Sequence, residues 1–240
     1  MANKIAVVFG GTRGIGAACV HALAENNFDV AYTYVSSVPD LPEKIGASRT
    51  KGYLVDIRDS EQVRSVFFNI LKDWGSAPDC VVANAGINVP GAPMSQFDIN
   101  KLKQLVDVNI VGAFNVLQHA AINVVDGGSI IALTSSMVRI GISGGGPYTA
   151  TKAAVESFVR SMTKELAPRK IRVNGVAPGP VDTDLFRAGK TDEVKARMAN
   201  LSPLNRIGIP KEVAEVVAFL ASDKATWING QIIQPNGGMV

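Results

Sequence analysis

The chain has 240 residues, of which 47% are apolar, 19% are charged and 6% are aromatic. An apolar fraction of this size is ordinary for a globular protein and excludes a disordered chain. The net charge is only +3, and no run of five or six basic residues occurs. The charge pattern therefore gives no indication of a nucleic-acid partner, because such proteins usually cluster their lysines and arginines.

The cysteines and the N-terminal segment indicate in which cellular compartment the protein is expected. Cys19 and Cys80 lie far apart inside apolar stretches, and no C-x-x-C motif or group of histidines accompanies them. We therefore expect no metal site, and two buried thiols fit a reducing, cytoplasmic location. The N-terminal apolar run Ile5–Phe9 is too short for a signal peptide or a membrane span, so we expect a soluble protein without a membrane partner.

Short apolar runs alternate with segments of helical periodicity along the chain, which predicts strands and helices in turn. The predicted strands are Lys4–Phe9, Val30–Val35, Gly52–Ile57, Cys80–Ala83, Ser129–Thr134, Ile171–Val176 and Gln231–Gln234. The predicted helices are Ile15–Asn26, Ser60–Trp74, Ile99–Val125, Tyr148–Ala167 and Lys211–Ser222. Pro39 and Pro42 predict that any helix between the second and third strands is short.

Near-continuous Val, Ile and Ala runs are typical of strands that are buried on both faces. Alternation of such strands with helices predicts a parallel sheet with right-handed crossovers. The expected fold is therefore a doubly wound α/β (Rossmann) sheet of about seven parallel strands with helices on both faces. No linker or repeat interrupts the pattern, so we expect one domain, residues 1–240.

Ligands of doubly wound sheets bind beyond the carboxyl ends of the strands. Five polar or glycine-rich segments follow predicted strands, so they share one edge of the sheet; they are Gly10–Gly16, Asp56, Asn84–Gly86, Thr134–Ser136 and Pro178–Thr183.

The first of these segments has the spacing G-x-x-x-G-x-G, with glycines at Gly10, Gly14 and Gly16. Glycines there allow the backbone to approach a pyrophosphate at a helix N-terminus, where free N–H groups favour anions. A tight turn without any ligand would have the same spacing, so the motif alone is weak.

The end of the second strand indicates which dinucleotide would fit. NAD sites usually carry an acidic residue there, which binds the ribose 2′-OH, but the segment Tyr32–Ser37 contains none. Arg13 offers a guanidinium to a 2′-phosphate, and Ser36 and Ser37 offer hydroxyl donors. These features favour NADP(H).

Tyr148 and Lys152 are four residues apart at the start of a predicted helix, so both project from one face. The phenol of a free tyrosine has a pKa of about 10. A neighbouring ammonium and an oxidised nicotinamide would lower that pKa and make Tyr148 a general acid and base. Ser135 ends the preceding strand and could donate to a substrate carbonyl. A serine nucleophile is excluded, because Ser135 lacks the G-x-S-x-G elbow.

Taken together, these motifs resemble the ordered motif set of the short-chain dehydrogenase/reductase family over residues 4 to 238. The residues that carry the resemblance are Gly10, Gly14, Gly16, Asn84, Ala85, Gly86, Asn109, Ser135, Tyr148, Lys152, Pro178 and Gly179. The resemblance implies that Tyr148 exchanges the proton, that Lys152 also binds the nicotinamide ribose, and that Ser135 orients the substrate oxygen. It implies that Asn109 anchors a water that relays protons to Lys152.

The same resemblance implies that Asn84–Gly86 line the cofactor and that Asp56 and Ile57 contact adenine. Pro178, Gly179, Val181 and Thr183 would frame the nicotinamide, and an arginine at the position of Arg13 marks NADP(H) preference. The expected cofactor-binding residues are Gly10, Thr12, Arg13, Gly14, Ile15, Gly16, Tyr34, Ser36, Asp56, Ile57, Asn84, Ala85, Gly86, Tyr148, Lys152, Pro178, Gly179, Val181 and Thr183.

Three functions remain open from the sequence. The first is an NADP(H)-dependent reductase of small ketones, with Asp184–Gly208 as a lid over the substrate. The second is reduction of 3-oxoacyl groups on an acyl carrier protein, whose acidic surface needs a basic docking face. Gln118–Gly128 contains no Lys or Arg, and Arg169, Lys170 and Arg172 form only a small cluster, which favours the first. The third is a non-catalytic NADP sensor, although such proteins typically lose the tyrosine or the lysine.

The resemblance also implies an oligomer. The predicted helices Ile99–Val125 and Tyr148–Ala167 are rich in small residues. In this family the two helices commonly pair across a two-fold axis, so we expect a homotetramer or a homodimer.

Overall fold

The computed structural model describes residues 3–36 and 40–240, and within them eight strands form one sheet. The strands are β1 (Lys4–Phe9), β2 (Phe28–Tyr34), β3 (Lys44–Ile45), β4 (Ser48–Leu54), β5 (Cys80–Ala83), β6 (Ser129–Leu133), β7 (Arg172–Val176) and β8 (Ile232–Ile233). Their order in the sheet is β3-β4-β2-β1-β5-β6-β7-β8. Only β3 is antiparallel to its neighbour, so seven strands are parallel, as predicted.

The α-helices in the same residues are α1 (Gly14–Glu25), α2 (Ser60–Trp74), α3 (Ile99–Val106), α4 (Ala113–Asn123), α5 (Met137–Ile140), α6 (Gly146–Glu165), α7 (Asp184–Arg187), α8 (Asp192–Ala199) and α9 (Pro210–Ala221). A π-helical turn, Asp107–Gly112, joins α3 to α4, so the chain stays helical from 99 to 123. By length and composition this stretch could span a membrane, but half of it is buried inside the protein, which is typical of a core helix.

Helices cover both faces of the sheet because successive side chains of each buried strand point to opposite faces. Ala6 and Val8 of β1 pack with residues of α1 and α9. Ile5, Val7 and Phe9 of the same strand pack with residues of α2, α4 and α6. This arrangement confirms the doubly wound fold class.

The third predicted strand is displaced in the structure. The prediction was Gly52–Ile57, whereas β4 spans Ser48–Leu54 and pairs with β2 from Thr50 to Leu54. β4 lies near the edge of the sheet and is partly exposed. Its sequence therefore contains polar residues and lacks the continuous apolar run by which the other strands were predicted. The apolar residues Val55 and Ile57 are buried, but they belong to the loop after the strand.

The short helix predicted between the second and third strands is absent from residues 40–47. Lys44 and Ile45 form β3 instead, which pairs antiparallel with β4 through a turn at Gly46, where φ is +60°. Pro39, one of the two prolines behind that prediction, lies outside the described residues.

The strand order sets the position of the site. β1 is in the centre of the sheet: the chain first builds outward on one side through β2 and β4, then returns to the other side with β5. Connections therefore diverge from the carboxyl ends of β1 and β5, which leaves a crevice between the loops that follow them.

Candidate active site

The turn from β1 into α1 brings the start of the helix to the crevice. A side chain at Gly16 could not fit, because a Cβ atom there would lie 1.9 Å from the Gly10 carbonyl oxygen. Arg13 precedes the helix in an extended conformation, and its side chain makes no capping hydrogen bond. The first N–H groups of a helix have no partner within it, so this helix start can accept an anion.

A groove of about 400 Å³ runs along this turn. It is lined by most of the predicted cofactor residues: Gly10, Thr12, Arg13, Gly14, Ile15, Gly16, Tyr34, Ser36, Asp56, Ile57, Asn84, Ala85, Gly86 and Thr183. Ser37, the second predicted hydroxyl donor, lies outside the described residues. The groove thus joins the ends of β1, β2, β4 and β5 with the segment after β7.

Polar side chains fix the loops around the groove. Asn84 Nδ2 donates to the Gly10 carbonyl over 2.8 Å, which ties the loop after β5 to the glycine turn. Thr33 Oγ1 accepts a hydrogen bond from Gly10 N over 3.1 Å. On the opposite wall, a Cβ atom at Gly14 would lie 3.1 Å from Thr183 Cγ2. The groove is therefore narrow where α1 begins.

At the end of the groove near β4, Arg58 and Asp56 form an ion pair. Arg58 Nε lies 3.0 Å from both carboxylate oxygens of Asp56, and Arg58 N also donates to Asp56. These hydrogen bonds lower the pKa of Asp56. Asn115 of α4 holds this loop by donating to the carbonyls of Ile57 and Arg58, over 2.9 and 3.2 Å. In contrast to Arg58, Arg13 forms no ion pair within the described residues and is exposed beside the groove.

Tyr148 and Lys152 lie on one face of α6, as their spacing predicts. Lys152 Nζ is 6.0 Å from the centre of the Tyr148 ring and donates to the Leu133 carbonyl at the end of β6, over 3.1 Å. Ser135, two residues further along, is buried and lies close enough to the phenol to lower the pKa of Tyr148. The structure thus brings together the tyrosine, lysine and serine that the sequence singled out.

Asn109 lies in the π-helical turn and faces the same cluster. Its Oδ1 accepts from Ile87 N over 2.8 Å, and its Nδ2 donates to the Ile87 carbonyl over 2.9 Å and to Thr151 Oγ1 over 3.2 Å. The Asn109 side chain therefore anchors the loop after β5 to α6. Turns of this type occur often at functional sites.

Gly86 is the point where the groove meets this cluster. It lines the groove, and a Cβ atom there would lie 3.1 Å from Asn109 Oδ1 and 3.3 Å from Lys152 Nζ. The absent side chain leaves space beside the ammonium. These residues fit a dinucleotide whose phosphates lie at the start of α1 and whose nicotinamide ribose reaches Lys152.

The segment after β7 is only partly at the groove. The Pro178 carbonyl accepts from Ser136 N over 3.0 Å, which ties this segment to the residue after Ser135. Gly179 packs against Asn236 near the C-terminus. Val181 lines a separate cavity of about 140 Å³, so of the four predicted nicotinamide-framing residues only Thr183 lines the main groove.

Burial determines the proton affinities of the pair. It raises the pKa of Tyr148 to about 12, and the contact with Ser135 lowers it by less. It also lowers the pKa of Lys152 to about 8. The predicted lowering of the phenol pKa depends on Lys152 together with an oxidised nicotinamide, and it stays a prediction. An additional positive charge beside the phenol is needed to favour its ionised form.

Sequence reasoning missed several residues of the groove: Thr33, Val35, Val55, Arg58, Ile87, Gln104 and Val108. Thr33 was detectable as a polar residue inside the apolar β2 strand, since such a residue needs a partner. The remainder gave no signal, because their roles depend on which loops meet at the crevice. Asn115 was missed for the same reason.

Comparison with known families agrees with this geometry. A family model described as enoyl-(acyl carrier protein) reductase matches residues 10–240. A protein from Arabidopsis thaliana, described as an NADPH-dependent aldehyde reductase-like protein, is 37% identical and covers 100% of this chain and 95% of its own. A 3-oxoacyl-[acyl-carrier-protein] reductase from Staphylococcus aureus is also 37% identical, with coverages of 99% and 98%.

Solved structures agree as well. A short-chain dehydrogenase/reductase from Serratia marcescens matches with a TM-score of 0.90 and 31% identity, over 98% of this chain and 97% of that one. A blue fluorescent protein from a metagenomic library, in complex with NADPH, matches with a TM-score of 0.90 and 31% identity, over 99% and 98%. A short-chain dehydrogenase from Burkholderia cenocepacia, in complex with NADP, has a TM-score of 0.87 and 30% identity, over 98% and 97%.

The chain belongs to the short-chain dehydrogenase/reductase family, and this membership makes it an oxidoreductase of that class. The relatives that use or contain NADPH or NADP confirm the predicted cofactor, NADP(H).

The lowered pKa of Lys152 predicts a pH dependence of stability. Its pKa of about 8 in the folded protein lies below the ordinary lysine value of 10.5, so between these values the unfolded chain binds a proton that the folded chain lacks. The free energy of unfolding gained from this residue therefore rises with pH from 8 towards 10. Urea denaturation at pH 7, 8, 9 and 10 measures this contribution as the free energy of unfolding of the wild type minus that of Lys152→Met. A difference that stays flat or falls contradicts the shift.

Proposed function

We propose that this protein is an NADP(H)-dependent carbonyl reductase and secondary-alcohol dehydrogenase that acts on small ketones. The observation that carries the proposal is the cluster of Tyr148, Lys152 and Ser135 at the end of β6, next to a dinucleotide-sized groove. A half-buried phenol with a buried ammonium 6.0 Å from its ring is costly to maintain in a fold without a function for the pair.

Each residue of the cluster has a defined task in carbonyl reduction. Ser135 donates a hydrogen bond to the substrate oxygen and stabilises the negative charge that develops there. Tyr148 gives the phenolic proton to the same oxygen, and in alcohol oxidation it takes the proton back. Lys152 holds the nicotinamide ribose, and Asn109 positions the loop after β5 and a proton-relaying water. NADPH, when bound, supplies the electron pair of the reduction.

NADP(H) is the proposed cofactor in preference to NAD(H) because the cationic group nearest the helix start is unpaired. Arg58 is already engaged with Asp56, whereas Arg13 has no ionic partner among the described residues. Ser36 and Tyr34 line the same end of the groove and offer hydroxyl groups. A guanidinium with free N–H groups binds a phosphate more strongly than one that is committed to a carboxylate.

Small ketones are favoured over acyl groups on a carrier protein because the basic cluster near residue 170 is mostly occupied. The Arg169 guanidinium binds Asp126 and the carbonyls of Ala121 and Val124. Arg172 is buried and donates to two carbonyls at the end of α9. Only Lys170 remains as an exposed cation there, which is little for an acidic partner.

The residues from Asp184 to Gly208 are proposed to close over the substrate. Two short helices, α7 and α8, lie in this segment, and Thr183, Asp184 and Leu185 reach the groove. We also propose that residues 1–240 act as one domain, since all strands of the described residues join one sheet. The free, buried thiols of Cys19 and Cys80 support a cytoplasmic location.

The function is tested with a panel of ketones, aldehydes and 3-oxoacyl thioesters, free and carrier-bound, with NADPH oxidation followed at 340 nm. Turnover of free ketones without turnover of carrier-bound thioesters is expected. Turnover that depends on the carrier favours the second candidate, a 3-oxoacyl-[acyl-carrier-protein] reductase, for which the Staphylococcus relative argues. Binding of NADPH without any turnover would indicate the sensor.

Tyr148→Phe is expected to lower kcat by about 10²- to 10⁴-fold, which is the usual contribution of a general acid. The dissociation constant of NADPH should stay within about twofold, since only a hydroxyl is removed. Tyr53→Phe is the matched control, because the Tyr53 hydroxyl donates to Asp73 away from the groove. Retained turnover in the Tyr148 variant excludes the proposed mechanism.

Arg13→Ala is expected to lower kcat/KM for NADPH by about 10- to 100-fold, the loss of a charge-assisted hydrogen bond to phosphate. The value for NADH should change little, because NADH has no 2′-phosphate. Arg64→Ala serves as control, since Arg64 pairs with Glu61 on the outer side of α2. Equal losses for both cofactors would place the 2′-phosphate contact elsewhere.

A homotetramer or homodimer is proposed from the outer face of α4. Val111, Phe114 and Ile122 are 44%, 45% and 65% exposed on one side of the helical stretch, and the Phe114 ring contacts Phe158 of α6 at 5.9 Å.

Phe114→Glu is expected to lower the mass measured by light scattering. Phe68→Glu, on the outer face of α2, should leave it unchanged; an unchanged mass in both variants contradicts the proposed interface.

A further inference from the structure

Glu156 is a buried carboxylate to which the proposed chemistry assigns no task. It is 3% exposed and lies on α6, eight residues after Tyr148 and four after Lys152. Residues at this spacing form one stripe along a helix. A buried carboxylate is costly unless it is paired and hydrogen-bonded, so its partners indicate what it does.

The partner of Glu156 is Arg139, which lies on α5. The guanidinium and the carboxylate form a two-pronged pair, with Nη1 to Oε1 at 2.8 Å and Nη2 to Oε2 at 3.0 Å. Thr134 Oγ1 donates to the same Oε1 over 3.3 Å. Arg160 is a more distant and more exposed cation, at 3.7 Å.

These partners lie on both sides of Ser135. Thr134 directly precedes the serine, and Arg139 follows it by four residues, so one carboxylate holds both ends of the short segment that carries Ser135. The intervening turn is itself hydrogen-bonded, from Arg139 N to the Ser136 carbonyl over 3.0 Å. The segment can therefore move relative to α6 only if these contacts break.

The stripe on α6 contacts the end of β6 at three successive points. Lys152 donates to the Leu133 carbonyl, Glu156 accepts from Thr134, and Tyr148 lies close enough to Ser135 for the serine to lower the pKa of the phenol. A helix is stiff over two turns, so fixing Glu156 fixes the distance from the phenol to the serine. A displacement of about 1 Å in such a pair can cost about 100-fold in rate.

We propose that Glu156, through its ion pair with Arg139, is a positioning residue that holds the Ser135 hydroxyl against the Tyr148 phenol. The proposal rests on the proposed function, since it concerns the same two catalytic groups. Glu156 touches neither substrate nor cofactor in this scheme and acts only through Ser135.

The chain offers a matched ion pair for comparison. Asp29 at the start of β2 is also buried, and Arg49 Nε and Nη2 bind its Oδ2 over 2.8 and 2.6 Å. This pair joins β2 to β4 at the amino end of the sheet, opposite the groove. A merely stabilising ion pair at either position should have the same consequences when it is neutralised.

The test compares Glu156→Gln with Asp29→Asn, which remove the same charge from the two pairs. We expect Glu156→Gln to lower kcat about 10- to 100-fold, with the NADPH dissociation constant within about twofold of wild type. Asp29→Asn should keep kcat within about twofold of wild type, even if its Tm falls by as much as the Tm of Glu156→Gln. The proposal is overturned if both variants lose kcat in the same proportion to their decrease in Tm.

A second variant keeps the test decisive if Glu156→Gln folds poorly. Replacing both partners, Arg139→Met with Glu156→Met, removes the clamp and leaves no buried unpaired charge, because the remaining cation, Arg160, is exposed, so stability is expected to survive. A loss of kcat in this stable double variant supports the clamp, and a wild-type kcat overturns it. In a Ser135→Ala background, Glu156→Gln should cost less than about twofold, because its effect passes through the serine.

The pH profile separates positioning from a simple electrostatic effect. The Ser135 contact lowers the pKa of Tyr148, so loosening it raises that pKa and moves the rise of kcat/KM for alcohol oxidation to higher pH. Loss of a nearby negative charge alone would move it to lower pH, because phenolate would be favoured. A shift to lower pH in Glu156→Gln overturns the proposal.

Hydrogen exchange of residues 134–141 gives a readout that needs no turnover. The amides of this segment should exchange at least about tenfold faster in Glu156→Gln than in Asp29→Asn. Equal exchange rates overturn the clamp whether or not the enzyme is active. Wild-type protein that shows no turnover on the panel, with faster exchange in Glu156→Gln, overturns the proposed function and leaves the clamp intact.

Discussion

The packing of one polar stripe of α6 against the carboxyl end of β6 is the interaction on which the rest of the site depends. Lys152 and Glu156 are buried and hydrogen-bonded to Leu133 and Thr134, and the half-buried Tyr148 lies beside Ser135. An unpaired polar group there would cost several kcal/mol, roughly half of the stability of an ordinary domain. The paired arrangement is therefore strongly preferred over any displaced one, which keeps the reacting groups aligned.

The same burial explains why the protein alone does not ionise the tyrosine. Loss of hydration disfavours both phenolate and ammonium, so the pKa values of Tyr148 and Lys152 move in opposite directions, upward and downward. A buried pair of this kind responds strongly to any further charge, because the interior screens poorly. This responsiveness is compatible with the proposed role of Tyr148 as a general acid and base.

The groove beside this cluster is formed by two separate parts of the chain. The glycine turn after β1 and the loop after β5 are joined by the Asn84 side chain, and Asn109 connects that loop to α6. Gly86 lies between them, with space where a side chain would contact both Asn109 and Lys152. The groove therefore lies next to the cluster of Tyr148, Lys152 and Ser135, because the strand order reverses between β1 and β5.

The sequence by itself determined the alternation of buried strands and helices, and hence the doubly wound fold, because hydrophobic periodicity is local. It also determined the glycine turn and the Tyr148–Lys152 pair, since their spacing along one element fixes their geometry. It did not determine the extent of β4, whose polar residues lie at a partly exposed edge, nor that Val181 faces away from the main groove. Only the tertiary structure decided the partners of Asn115 and Glu156, because each binds residues from a different segment of the chain. Contacts of that kind depend on how elements pack together, and no periodicity within one element records them.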